Sequence, residues 1–188
     1  MLKFLKKYGY YVLAFALVLA VGLTAGLTGA NDNQVPVDEE PNQPTQATKV
    51  EMVCPMEGAE VLKWYSDTEL FYNSTLKQWE SHKAVDLTSS VNASVYSVLD
   101  GIVLDCSYNY ENGYCLTIEH TDGLKTKYCS LATIDGFSVG DSVVRGQKIG
   151  EASTSASNES LDGNHLHFSV ELNGQSVDPA NYLTFENK

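Results

Sequence analysis

Residues 112–131 read NGYCLTIEHTDGLKTKYCSL, two short runs of apolar and β-favouring residues joined by the turn signal HTDG. Runs this short, bounded by Gly, Asp and Asn, suit strands of a hairpin and are too brief for helices. The same grammar extends outward. SVYSVLDGIVLDCS (94–107) precedes the turn signal NYENG, VGDSVVRGQKIGEA (139–152) follows, and HLHFSVEL (165–172) leads into another turn at NG. Strands are predicted near 94–106, 114–120, 124–130, 142–150 and 165–172, a spacing that fits an all-β sandwich or curled sheet. Residues 67–79, DTELFYNSTLKQW, are compatible with a helical turn, although Thr, Asn and Ser weaken it. No long internal repeat is present.

Charge and hydropathy divide the chain of 188 residues into three parts. Residues 1–30 carry Lys3, Lys6 and Lys7 and no acid, followed by an uncharged stretch from Tyr8 to Ala30. A basic head before about twenty uncharged, mostly apolar residues predicts a single membrane span with the N-terminus cytoplasmic. A cleaved signal peptide is the competing reading, since the strongest apolar run is short and LTGA offers small residues for cleavage. Both readings place the rest of the protein outside the cytoplasm. Residues 31–50, NDNQVPVDEEPNQPTQATKV, lack the large apolar side chains needed to offset the entropy of ordering and read as a disordered tether. Residues 51–188 then form one extracytoplasmic domain. Beyond residue 30 there are 9 basic and 24 acidic residues, which argues against nucleic acid or an anionic membrane surface as partner.

The chain has only four histidines, and two of them, His165 and His167, are separated by one residue. On a strand they share a face. His82 precedes Asp86 by four residues in WESHKAVDL, and imidazole with carboxylate is a usual zinc donor set. In a straight strand their Cα atoms would lie about 13 Å apart, so a shared ion requires a bend between them. His120, at a strand end before a turn, reads as structural. Four cysteines in an exported domain allow three connectivities if all pair. Cys106 and Cys115 flank a turn and are placed to face each other across a hairpin, whereas Cys54 and Cys129 are distant in sequence. Free or partly buried thiols are the favoured reading, because a domain of this size does not need staples.

The order His-x-x-x-Asp (82–86), then GDSVVRGQKIG (140–150), then HLHF (165–168), closing with SVDPANYL (176–183), resembles the LytM-type peptidase M23 family of zinc endopeptidases that cut peptidoglycan cross-bridges. The resemblance runs over roughly residues 55–184. It implies a mostly antiparallel β-sheet groove, one zinc ion held by His82, Asp86 and His167, and His165 as one of two catalytic histidines beside the water that the metal activates. Members of the family usually carry Tyr-x-His-Leu where this chain reads YCSL (128–131), which puts Ser130 at the second catalytic histidine. Loss of a positioned acid or base typically costs about 10²- to 10⁴-fold in rate. Ala84 replaces the glycine common between the first two ligands.

The lost histidine, the N-terminal segment and the loop TSASNESLDGNHLHF (154–168) are similar to the stage II sporulation protein Q-like branch of the family. That resemblance implies an interaction or structural role in a sporulation engulfment complex, with an extracytoplasmic partner protein and little hydrolysis. Cleavage of peptidoglycan remains the alternative. Cys129 reads as a small buried residue, with an extra zinc ligand or a redox-sensitive thiol as minor readings. Trp64, Tyr65, Tyr72 and Trp79 read as core or interface before groove lining.

Overall fold

The computed structural model describes residues 50–184, so the predicted anchor at 1–30 and nearly all of the predicted tether at 31–50 lie outside the described residues. Twelve strands follow in chain order: β1 (Ala59–Lys63), β2 (Ser66–Asn73), β3 (Gln78–His82), β4 (Val85–Ser89), β5 (Ser94–Tyr96), β6 (Gly101–Asn109), β7 (Gly113–Glu119), β8 (Leu124–Leu131), β9 (Ser142–Val143), β10 (Lys148–Glu151), β11 (Leu166–Leu172) and β12 (Gln175–Val177). Eight of these form one sheet in the order β1-β4-β11-β8-β7-β6-β9, with β12 hydrogen-bonded beside β11. All of its strand pairs are antiparallel. β5 and β10 pair separately, as do β2 and β3.

The opening stretch of sequence forms the middle of the large sheet. β7 and β8 pair along their length, and Leu116, Ile118, Leu124, Thr126 and Tyr128 turn a fully or nearly fully buried face to the core. β11 pairs with β8 so that Phe168 lies opposite Tyr128, their rings 5.2 Å apart, and Val170 lies opposite Thr126. β4 continues the row with Leu87 opposite Leu166. Val95 and Ile149 from the β5–β10 pair, together with Met52 and Met56, cover this face. Alternation with period two along β4, β8 and β11 therefore separates an apolar face from a polar one, and the polar face carries the chemistry.

One buried polar chain crosses the core. His120 Nδ1 donates to the Asp100 carbonyl at 2.8 Å, Nε2 lies 2.7 Å from the Thr126 hydroxyl, and that hydroxyl is 3.2 Å from the Tyr128 hydroxyl, which accepts from Val98 N–H. With Nδ1 protonated and Nε2 accepting, a neutral imidazole satisfies both neighbours. Burial pushes the His120 pKa down, against the opposing pull of the Asp100 carbonyl. This is the structural role that its place in the sequence suggests.

Three expectations are corrected. Residues 67–79 form no helical turn: they run from β2 through a turn into β3, where Asn73 Oδ1 accepts from the backbone N–H groups of Thr75 and Leu76. An Asx turn of this kind reverses the chain and competes with helix. The predicted strands at 94–106 and 142–150 each break in two, because their first halves and second halves belong to different sheets. Cys115 is bonded to Cys129 on the next strand, and across the β6–β7 hairpin it faces Ser107, while Cys106 faces Leu116. A cross-strand bridge requires residues opposite each other, and the β6–β7 register is offset by one from that pairing.

Candidate metal centre

The site is assembled mainly by register. Lys63 of β1 pairs with Asp86 of β4, Asp86 pairs with His167 of β11, and His167 pairs with Cys129 of β8. Residues directly opposite on neighbouring strands project from the same face. Lys63, Asp86, His167 and Cys129 thus form one row across four strands, although they span most of the domain in sequence.

His82 enters from outside this row. β3 ends at His82 and β4 starts at Val85, so the bend demanded by the His82–Asp86 spacing falls at Lys83 and Ala84. It brings His82 Nε2 to 3.2 Å from Asp86 Oδ1. Ala84 is fully buried and is absent from the residues with positive φ, so the alanine occupies the family's glycine position without backbone strain. His82 Nδ1 donates to the Trp64 carbonyl at 3.0 Å, which leaves the lone pair of Nε2 aimed at the row. Phe71 of the β2–β3 hairpin packs its ring edge-on against the imidazole at 6.4 Å.

His167 Nδ1 lies 2.9 Å from Asp86 Oδ1 and 3.1 Å from Glu159 Oε2. Glu159 comes from the loop before β11, in the short helical turn Ser157–Asp162. It was invisible in the sequence reading: an acidic residue in a Ser- and Asn-rich loop ordinarily faces solvent, and no spacing rule ties it to His82 or Asp86. Here it is 92% buried. Lys63 is the second residue that sequence reading missed. Its ammonium sits 3.0 Å from Asp86 Oδ2, 2.9 Å from Glu159 Oε1 and 3.1 Å from Asp162 Oδ2.

His165 is fully buried, donates from Nδ1 to the Gly163 carbonyl at 2.9 Å, and has Nε2 3.4 Å from Glu159 Oε2. The shared face of His165 and His167 is therefore real, with Glu159 between them. The region of the second catalytic histidine is otherwise occupied. Cys129 is bonded to Cys115. Ser130, fully buried and at φ 59°, lies at an irregularity in the β7–β8 pairing and gives its hydroxyl hydrogen to the Ser153 carbonyl at 2.9 Å. Neither side chain has a free proton donor to offer.

Protonation follows from the crowding. Burial pushes the His167 imidazolium towards losing its proton, but hydrogen bonds to Asp86 and Glu159 outweigh this and carry its pKa up to about 9. Burial disfavours the ionised forms of Asp86 and Glu159, and their hydrogen bonds to the histidines more than compensate, holding both carboxyls far below the usual carboxylate range. Burial disfavours the Lys63 ammonium in the same way, and Asp86 and Glu159 reverse that and hold it charged.

His82, Asp86, Glu159 and His167 each offer an atom within 4.8 Å of the others'. Two observations show that this group suits a divalent cation. His82 Nε2 is buried and makes no hydrogen bond of proper geometry, and buried polar atoms are rarely left in that state. The three carboxylates of Asp86, Glu159 and Asp162 converge on a single ammonium, that of Lys63, and the proton held by His167 is one that a divalent ion displaces when it takes the imidazole nitrogen. When bound, zinc at such a site supplies Lewis acidity and lowers the pKa of water.

Comparison with known proteins follows the same geometry. Stage II sporulation protein Q of Bacillus subtilis (strain 168) is 32% identical over 114 residues, an alignment covering 60% of this chain and 38% of that protein. The peptidoglycan DD-endopeptidase ShyB of Vibrio cholerae serotype O1 is 37% identical over 97 residues, covering 52% of this chain and 22% of that protein. The chain thus spans well under half the length of these curated relatives. Among solved structures, a chain of the SpoIIQ–SpoIIIAH pore forming complex superposes with a TM-score of 0.62 at 26% identity, covering 72% of this chain and 92% of that one. The model of Peptidase family M23 matches residues 80–179, a span that starts just before His82, takes in Asp86, Ser130, Glu159, His165 and His167, and ends at Pro179. With that span and the antiparallel sheet that carries it, the chain belongs to peptidase family M23.

Proposed function

We propose that this chain is a membrane-anchored, extracytoplasmic, zinc-binding M23 domain that serves as an interaction and structural component of a sporulation complex and has little hydrolase activity. The observation that carries the reading is the state of YCSL. The position of the second catalytic histidine holds Ser130, whose hydroxyl is spent on Ser153, beside a cysteine spent on a disulfide. His82, Asp86 and His167 supply the ligands, and zinc is the metal their donor set suits.

Likeness to the SpoIIQ chain of a SpoIIQ–SpoIIIAH complex supports a protein partner of the SpoIIIAH kind on the far side of the tether. Exposed Trp64, Leu70, Tyr72 and Trp79 on and beside the β2–β3 hairpin are the side chains such an interface favours. Likeness to ShyB favours a second reading, a zinc endopeptidase that cleaves peptidoglycan cross-bridges, with His165 as catalytic residue.

Incubation of the zinc-loaded full-length protein with purified peptidoglycan separates the two. No soluble muropeptide above the level of the His82→Ala variant is expected. Release by the wild-type protein that disappears in His82→Ala would establish the endopeptidase.

A further inference from the structure

The three ligands drawn from sequence leave a fourth coordination position open, as a hydrolytic zinc site requires. In this molecule the Glu159 carboxylate lies beside those three ligands. Four ligands at about 2.0–2.2 Å from a tetrahedral ion lie about 3.3–3.6 Å from one another. The separations found here are 3.2 Å from His82 Nε2 to Asp86 Oδ1, 2.9 Å from Asp86 Oδ1 to His167 Nδ1 and 3.1 Å from His167 Nδ1 to Glu159 Oε2, and the four residues each offer an atom within 4.8 Å of the others'. Three edges are already close to the tetrahedral length.

The loop that carries Glu159 is held on several sides. Ser157 and Asn158 N–H groups donate to the carbonyls of Tyr110 and Glu111, Asn73 Nδ2 donates to the Asn158 carbonyl, and Leu161 N–H donates to the Thr75 hydroxyl. Lys63 and His165 then fix the carboxylate itself, Lys63 on Oε1 and His165 on Oε2. The Lys63 ammonium also lies against Asp86 Oδ2, so one side chain orients two carboxylates at once. Outer partners of this kind normally set the aim of ligating groups.

We infer that Glu159 is the fourth protein ligand of the metal, closing the site as a four-coordinate His82–Asp86–Glu159–His167 centre, with Lys63 and His165 as positioning residues for Glu159. The inference rests on the metal-binding reading above and deepens it: the zinc is structural, and His165, with its ring nitrogen turned to Glu159, faces a ligand where a hydrolase would hold water.

The test uses the full-length protein loaded with cobalt(II) in place of zinc, titrated with azide, an anion that enters an open coordination position. Wild-type cobalt protein is expected to show an intense four-coordinate visible spectrum that azide does not alter. Glu159→Ala is expected to weaken zinc binding by at least about 100-fold in a chelator competition, beyond the 10- to 100-fold cost of losing an outer partner, and to make the cobalt bands respond to azide, with Glu159→Gln intermediate. Azide entry into the wild-type site overturns the inference without need of any variant. So does an unchanged zinc affinity in Glu159→Ala while Asp86→Ala loses the metal, a result that leaves the three-ligand site standing. Failure of the wild-type protein to take up zinc or cobalt at all removes the site and the inference together.

Discussion

Two neighbouring parts of one sheet face meet opposite fates. On β1, β4 and β11 the row Lys63–Asp86–His167 gathers charge, and each member is held by groups of opposite sign. One strand further, on β8, the row ends at Cys129, which is tied to Cys115, and Ser130 beside it is turned inward to Ser153. The first part gathers the donors a metal would need, and the second ties the sheet together. On the function proposed above, a hydrolase needs both parts to face substrate. Their divergence within two strands separates ligand geometry from proton transfer, because the first depends on buried donors locked in place and the second on an accessible one.

The comparison breaks most visibly at the metal. His167→Ala removes a donor from the centre of the row, and the expected result is loss of stoichiometric zinc from the full-length protein, with affinity reduced by at least about 100-fold, since losing merely an outer partner costs 10- to 100-fold. Elemental analysis after dialysis checks it. Zinc retained at one per chain would move the ion away from this row altogether.

The β8 side is predicted to matter for stability and not for the ion. A bridge between residues 14 apart closes a short loop, and its loss in the double variant Cys115→Ser, Cys129→Ser is expected to cost about 3 kcal/mol of unfolding free energy, measured by urea denaturation. Zinc content should stay unchanged. A variant that loses zinc along with stability would show that the two parts are one unit.

The smallest effect concerns the imidazole on the other face of the sheet. His120 has its folded-state pKa below the unfolded value near 6.5, so the unfolded chain takes up a proton first as the pH drops. Its contribution to stability is complete above about pH 6.5 and is lost as pH falls below that, by at most about 1.4 kcal/mol per pH unit. Urea midpoints of the zinc-loaded protein between pH 7.5 and 5.5 should decline more steeply for wild type than for His120→Asn. Equal slopes would mean that His120 is protonated in the folded state, and the polar chain through Thr126 and Tyr128 would have to be rewired.

Much of the site was legible from residue types and spacing. His82, Asp86 and His167 lie together in one cluster, His165 reaches it through Glu159, and the bend between the first two falls where their spacing demanded it. Glu159 and Lys63 were not legible, because each reaches the site from a segment whose local pattern says only loop or edge strand. The cysteine pairing was misread for a related cause. Proximity across a turn suggested Cys106 with Cys115, whereas register, set by the packing of Leu116 and Ile118 into the core, puts Cys115 beside Cys129. Residues 67–79 show the same limit at the level of secondary structure, since an Asx turn at Asn73 decided between helix and hairpin.

By itself, the sequence determined that residues 94–172 are built of short β-strands, that His82, Asp86, His165 and His167 offer a His and Asp donor set, and that serine stands where the family usually has a second histidine. These properties are local: strand alternation, turn chemistry and the donor capacity of a side chain travel with the residues. The tertiary structure decided which partners share a face. Strand register aligned Lys63, Asp86, His167 and Cys129, and the loop pinned by Asn73 and Thr75 delivered Glu159. A shift of one residue in any of those pairings would turn a donor from the polar face into the core, and no local signal in the chain records that choice.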